Sequence, residues 1–283
     1  MTQNRTDSAP GRHDRPSTPQ VMTRHNGLVF YGLAAASFLE TAIPLHANGL
    51  LRVFAGEPEV ERWIECCWWP VKCAHARDKR AYIEAAWPEF DWSAAYAEFY
   101  DAYRPLAGAQ RSPCSPAREA LARSAAAAQA SAFYRCIGTA ADDGELRRML
   151  YRMGADESAH FACFRQLFAR LNRSDRLGLL TTYRTIVACA RRARDVDVQL
   201  AFMHLGPKHW YGEMPFPQHE YREFVLRMGE VVRRHMPLGV AQRLLFRPWW
   251  QARGLRPAPA SPHRPASRSR ALAGRQLQVS AAQ

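Results

Sequence analysis

Glu157 and His160 lie three residues apart inside a long stretch with helical periodicity, about 145–171. On a helix such a pair stands almost one above the other, so both side chains can reach one metal ion. Leu150, Met153, Phe161, Phe164 and Phe168 flank the pair on the same stripe. A carboxylate and an imidazole on an apolar face each need a partner, whereas a solvated pair does not. Helix bundles build metal sites from inward-facing Glu-x-x-His units. The pair therefore predicts an all-α fold packed around a polar layer, with a solvated polar pair as the plainer alternative.

The remaining segments supply the other helices. A helical pattern covers 21–54, with Glu40 set among Ala34, Ala35, Ala36, Phe38 and Ile43. Pro44 cannot donate the bond that the Glu40 carbonyl would accept, so the helix should bend at that level. Gly56-Glu57-Pro58 then reverses the chain into a second helix, about 59–86, which Pro70 either kinks or restarts. A break at 87–92, a short helix over 93–103 and a loop over 104–116 form one long connection. A third helix over 116–140, a turn at 142–144 and the Glu157 helix follow. Two tight hairpins joined by a long crossover are the ferritin-like arrangement. Further helices are expected at 174–194, 196–205, 218–235 and 238–246. The loop 206–217 reads as a packing loop, or alternatively as a lid.

Residues equally far from a hairpin turn share one height. About Gly56, Glu40 falls level with Lys72, and His75 lies one turn further. About Asp142, Glu157 falls level with 127–129, where only Gln129 is polar. Glu40, Lys72, His75, Gln129, Glu157 and His160 are thus predicted to meet in one layer.

Glu40-Thr41-Ala42-Ile43-Pro44, the His75 helix and Asp156-Glu157-Ser158-Ala159-His160 resemble the acyl-carrier-protein desaturases. They are also similar to the AurF-like arylamine N-oxygenases, over roughly 28–172. The resemblance implies a ferritin-like di-iron carboxylate protein in which Glu40, His75, Glu157 and His160 are ligands. Two positions depart from that pattern. Lys72 stands where a glutamate should precede His75, and the third helix offers Gln129, or Ser124 by direct comparison with the desaturases. A charged Lys72 about 4 Å from a dication would feel roughly 8 kcal/mol of repulsion at an effective dielectric near 20. It must stay neutral, swing away, or leave one metal position empty.

Three functional readings follow. In the first, one or two iron ions, or manganese, are held by Glu40, His75 and Glu157 with His160 and Gln129 assisting. Dioxygen then oxidises a small organic or carrier-bound substrate, and the alanine runs beside the layer either leave it room or, more commonly, mark close helix contacts. In the second, the site has decayed and Lys72 pairs with the glutamates of a non-catalytic bundle. In the third, the bundle is a scaffold whose basic tail binds an acidic partner; nucleic acid is disfavoured because no motif for it is present.

Composition enters at the ends. The net charge is +13, and Arg253, Arg256, Arg264, Arg268, Arg270 and Arg275 contribute to it from a proline-rich tail without acids. The expected domains are a disordered segment 1–21, a helical domain 22–250 and a disordered basic tail 251–283. The first twenty residues have no apolar core and so no secretory signal. No uncharged run reaches the length of a membrane span. The cysteines form no Cys-x-x-Cys pair, which fits free thiols in the cytoplasm. A homodimer is an arrangement the sequence leaves open.

Overall fold

The computed structural model describes residues 23–109 and 115–235. These are all-helical apart from loops and one isolated bridge between Phe90 and Trp210. The sequence expectations for 1–21, for the helix 238–246 and for the basic tail 251–283 lie outside the described residues.

Helix α1 (Gly27–Thr41) starts on Asn26, whose side chain accepts from the Val29 amide at 3.2 Å. It is apolar on every side and buried for most of its length, as suits a central helix. At its end the Glu40 carbonyl accepts from Ile43 at 3.2 Å, because Pro44 has no N–H to offer. The chain turns by 53° there into α2 (Pro44–Val53). Helix α3 (Pro58–Trp63) runs through a π-helical turn, Ile64–Trp68, into α4 (Trp69–Ala86). The wide turn sits just before Pro70, where the ladder lacks a donor in any case.

Helix α5 (Trp92–Ala109) forms most of the crossover and continues past the expected end at Tyr103, carrying Pro105 inside it. The second hairpin is α6 (Pro116–Ala140) and α7 (Gly144–Asp175), capped by Ser115 and Asp143. Three shorter helices complete the described chain: α8 (Leu179–Asp195), α9 (Asp197–Met203) and α10 (Tyr221–His235).

Side-chain contacts fix how the helices run. Trp87 donates to the Arg24 carbonyl at 3.0 Å and Lys72 to Glu40 at 2.5 Å, so α1 and α4 are antiparallel. Asp175 accepts from the Ala117 amide and Ser131 donates to the Gly154 carbonyl, so α6 and α7 are antiparallel too. Asp78 to Arg152 and His75 to Asp156 join α4 to α7. Four helices thereby surround one volume.

That volume has two apolar ends. One centres on Phe30, packed against Trp87, Phe90, Trp210 and Phe216. The other gathers Leu50, Phe54, Ile64, Trp68, Phe164 and Phe168. Glu40 falls in sequence between Phe38 of the first cluster and Ile43 of the second, and Glu157 between Met153 and Phe164. The charged layer therefore separates two greasy compartments.

The loop 206–217 packs rather than hovers. Trp210 and Phe216 are buried in the first cluster, and the Tyr211 amide donates to the Glu89 carbonyl at 2.7 Å. Among the described residues no single helix is long and apolar enough to cross a membrane. Cys66, Cys67, Cys73, Cys136 and Cys163 are free thiols, and the Cys189 thiol donates to the Ala122 carbonyl at 3.3 Å.

Candidate functional site

Four helices deliver the layer. Helix α1 brings Glu40, α4 brings Lys72, His75 and Lys79, α6 brings Tyr134, and α7 brings Asp156, Glu157 and His160. Glu40, Lys72, His75, Glu157 and His160 are all between 2 % and 7 % exposed. Ionised groups this deep persist only when paired.

Lys72 makes the central pairing. Its Nζ donates to Glu40 Oε1 at 2.5 Å and to Glu157 Oε1 at 2.6 Å, joining the first and last helices of the layer through one ammonium. The hairpin count about Gly56 had set Lys72 level with Glu40, and the structure brings them into contact.

A second lysine was not anticipated. Lys79 is fully buried and donates to Glu40 Oε2 and, at 3.0 Å, to the Tyr134 hydroxyl. Lys72, His75 and Lys79 are spaced three and four apart, which is one helical stripe, so the signal was present in the sequence. Tyr134 of α6 then donates to Glu40 Oε1 at 2.6 Å.

The third helix thus contributes Tyr134 and not Gln129. Gln129 is half-buried, and among the described residues no hydrogen bond joins it to the layer. Ser124 bonds back to the Leu121 carbonyl at 2.8 Å and is not a member either. Counting from a turn gives the height of a residue but not the direction it faces. Ala127 and Ala128 pack on Phe161, so the alanine run serves close packing rather than a vacant space.

The histidines are held differently. His75 Nε2 donates to Asp156 Oδ2 at 2.9 Å, which leaves Nδ1 turned toward Glu157 Oε1 at 3.8 Å. His160 Nδ1 faces the same oxygen at 3.5 Å. Both Nδ1 atoms are buried without a hydrogen-bond partner among the described residues. Trp63 stands edge-on to the His160 ring.

Electrostatics follow from these contacts. Burial would raise both carboxyls, but Lys72 overrides it, holding Glu40 far below the carboxylate range and Glu157 at about 2. Burial disfavours the Lys72 ammonium, yet Glu157 and Glu40 together raise its pKa above the ordinary lysine value. Lys79 goes the other way: burial outweighs Glu40 and lowers it. Burial and the nearby Glu40 push the Tyr134 phenol well up, so it stays a donor.

Glu40, His75 and Glu157 present ligand atoms within 4.8 Å of one another and could hold a metal ion. The fit is good in spacing and poor in charge. Two carboxylates are already neutralised by Lys72 and Lys79, and each Glu40 oxygen accepts from at least one of Lys72, Lys79 and Tyr134. A dication would enter between two glutamates whose charges Lys72 and Lys79 already balance, unless Lys72 left them. Comparison with family models, curated proteins and solved structures gives no match for this chain.

Proposed function

We propose that the chain is a ferritin-like bundle in which an ammonium takes the place of the metal, and that it acts as a non-catalytic helical protein. One observation carries this reading: Lys72 Nζ bridges Glu40 and Glu157 at 2.5 and 2.6 Å in a buried layer. The two hairpins joined by the α5 crossover support the ferritin-like assignment. With Lys79 on the other oxygen of Glu40, two ammonium groups balance the two buried glutamates without any bound ion.

The test is metal analysis of protein made under iron-replete conditions. Wild-type chain should carry less than about a tenth of an equivalent of iron or manganese, and Lys72→Glu should raise it by restoring a carboxylate. Near one equivalent in the wild type, lost on His75→Ala, would overturn the reading.

A second reading rests on the histidines. Asp156 fixes His75 so that its Nδ1 faces inward, as outer carboxylates do for metal-ligating imidazoles, and His160 Nδ1 is likewise unpartnered. In that reading Lys72 withdraws, and Glu40, His75 and Glu157 with His160 hold an iron or manganese ion that supplies oxidation chemistry with dioxygen on a small or carrier-bound substrate. The same metal analysis separates the two.

A further inference from the structure

A second cluster lies outside the layer, where α5 meets the chain leaving α9. It contains Glu98 of α5, His204 just after α9, and His209 at the end of the 3-10 turn Pro207–His209. We propose that these three residues form a binding site for a single divalent metal ion of the zinc class.

The donor atoms converge. His204 Nδ1 and His209 Nε2 face one oxygen of Glu98, Oε2, at 3.6 and 3.3 Å. All three ligand atoms lie within 4.8 Å of one another. Ligands about 2.0–2.2 Å from a tetrahedral ion stand roughly 3.4 Å apart, close to both histidine–Glu98 distances. Two imidazoles and a carboxylate with a fourth position left open are a recognised zinc set.

The frame around these atoms is rigid. The His209 carbonyl accepts from the Asp91 amide at 2.8 Å, and the Tyr211 amide donates to the Glu89 carbonyl at 2.7 Å. The Tyr211 hydroxyl donates to Asp91 Oδ2 at 2.5 Å, and Asp91 Oδ1 accepts from the Ala94 amide in the first turn of α5. Loop and helix are thereby clamped before any ion arrives. His209 is buried while Glu98 is about two-fifths exposed, so the site has a solvent side through which an ion can enter.

One group competes. Lys208 donates to both oxygens of Glu98 at 2.7 and 2.8 Å. Its side chain is 72 % exposed, so it can move into water when an ion arrives. Surface ion pairs of this kind are weak. The Lys72 side chain differs in being only 9 % exposed.

The experiment titrates metal-free, full-length protein with zinc against a chromophoric chelator, and with cobalt followed by visible absorption. One equivalent of zinc should bind and raise Tm, and cobalt should give the intense bands of a low-coordinate site. Affinity should fall at least about tenfold in His204→Ala and in Glu98→Gln, both partly exposed positions, and should rise several-fold in Lys208→Ala. No zinc binding by the wild type would overturn the proposal. So would an equivalent that persists unchanged in both weakened variants with native circular dichroism. Because these variants leave the buried layer intact, failure here is distinct from any result on Lys72.

Discussion

Lys72 Nζ and Glu157 Oε1 stand 2.6 Å apart, each side chain more than nine-tenths buried, although the residues are 85 apart in sequence. Removing one member of such a pair strands the other, whereas removing both does not. Lys72→Met alone should therefore destabilise the protein by about 3–5 kcal/mol, and Glu157→Gln by a similar amount. The double variant should recover a substantial part of that loss. Urea unfolding of the four proteins gives the coupling; additive losses would mean that the pair is not the unit described.

The acid limb of stability should come from the same carboxylates. Glu157 titrates at about 2 in the folded protein against an ordinary value of 4.5, and Glu40 is lowered as well. The unfolded chain thus binds more protons between those values, so the stabilisation is present above pH 4.5 and is lost as pH falls toward 2. The Glu157 contribution is on the order of 3 kcal/mol by linkage. Unfolding midpoints from pH 7 to 3 should fall steeply in the wild type and less steeply in Glu157→Gln.

The lysines set the alkaline limb with opposite signs. Lys79 is lowered, so stability should rise with pH through its window below 10.5, the ordinary lysine value. Lys72 is raised, so its contribution is complete below 10.5 and is lost above it. Lys79→Met should abolish the rise and leave the fall, read from the same denaturation series at pH 8 to 11.

Phe30 touches four aromatic rings at centroid distances of 5.0–5.2 Å, two of them from the loop 206–217. Phe30→Ala should cost about 3–5 kcal/mol and should loosen that loop in particular. Hydrogen exchange at the Tyr211 amide, bonded to Glu89, is the sensitive probe.

Gly154 sits where α7 packs closely on α6. A Cβ there would sit 3.3 Å from the Ser131 carbonyl oxygen and 3.2 Å from Arg135 Cγ. Gly154→Ala should be near neutral, since its helix propensity gain of about 1 kcal/mol offsets the crowding. Gly154→Val should cost about 1–3 kcal/mol because the backbone carbonyl cannot give way. Thermal unfolding distinguishes them.

The sequence by itself determined the helices, the bend at Pro44 and the meeting of Glu40 with Lys72. Each follows from local covalent facts: a period of 3.6 residues, a missing amide proton, and equal chain lengths either side of the turn at Gly56. Lys79 was legible on the same stripe as Lys72 and His75, and was overlooked because a lysine in a helix is so commonly solvated. Only the tertiary structure decided that Tyr134, and not Gln129, closes the layer, since that depends on how α6 is rotated about its own axis. It also decided that Glu98 meets His204 and His209. No periodicity relates those residues, and their convergence depends on backbone hydrogen bonds between a loop and the start of α5.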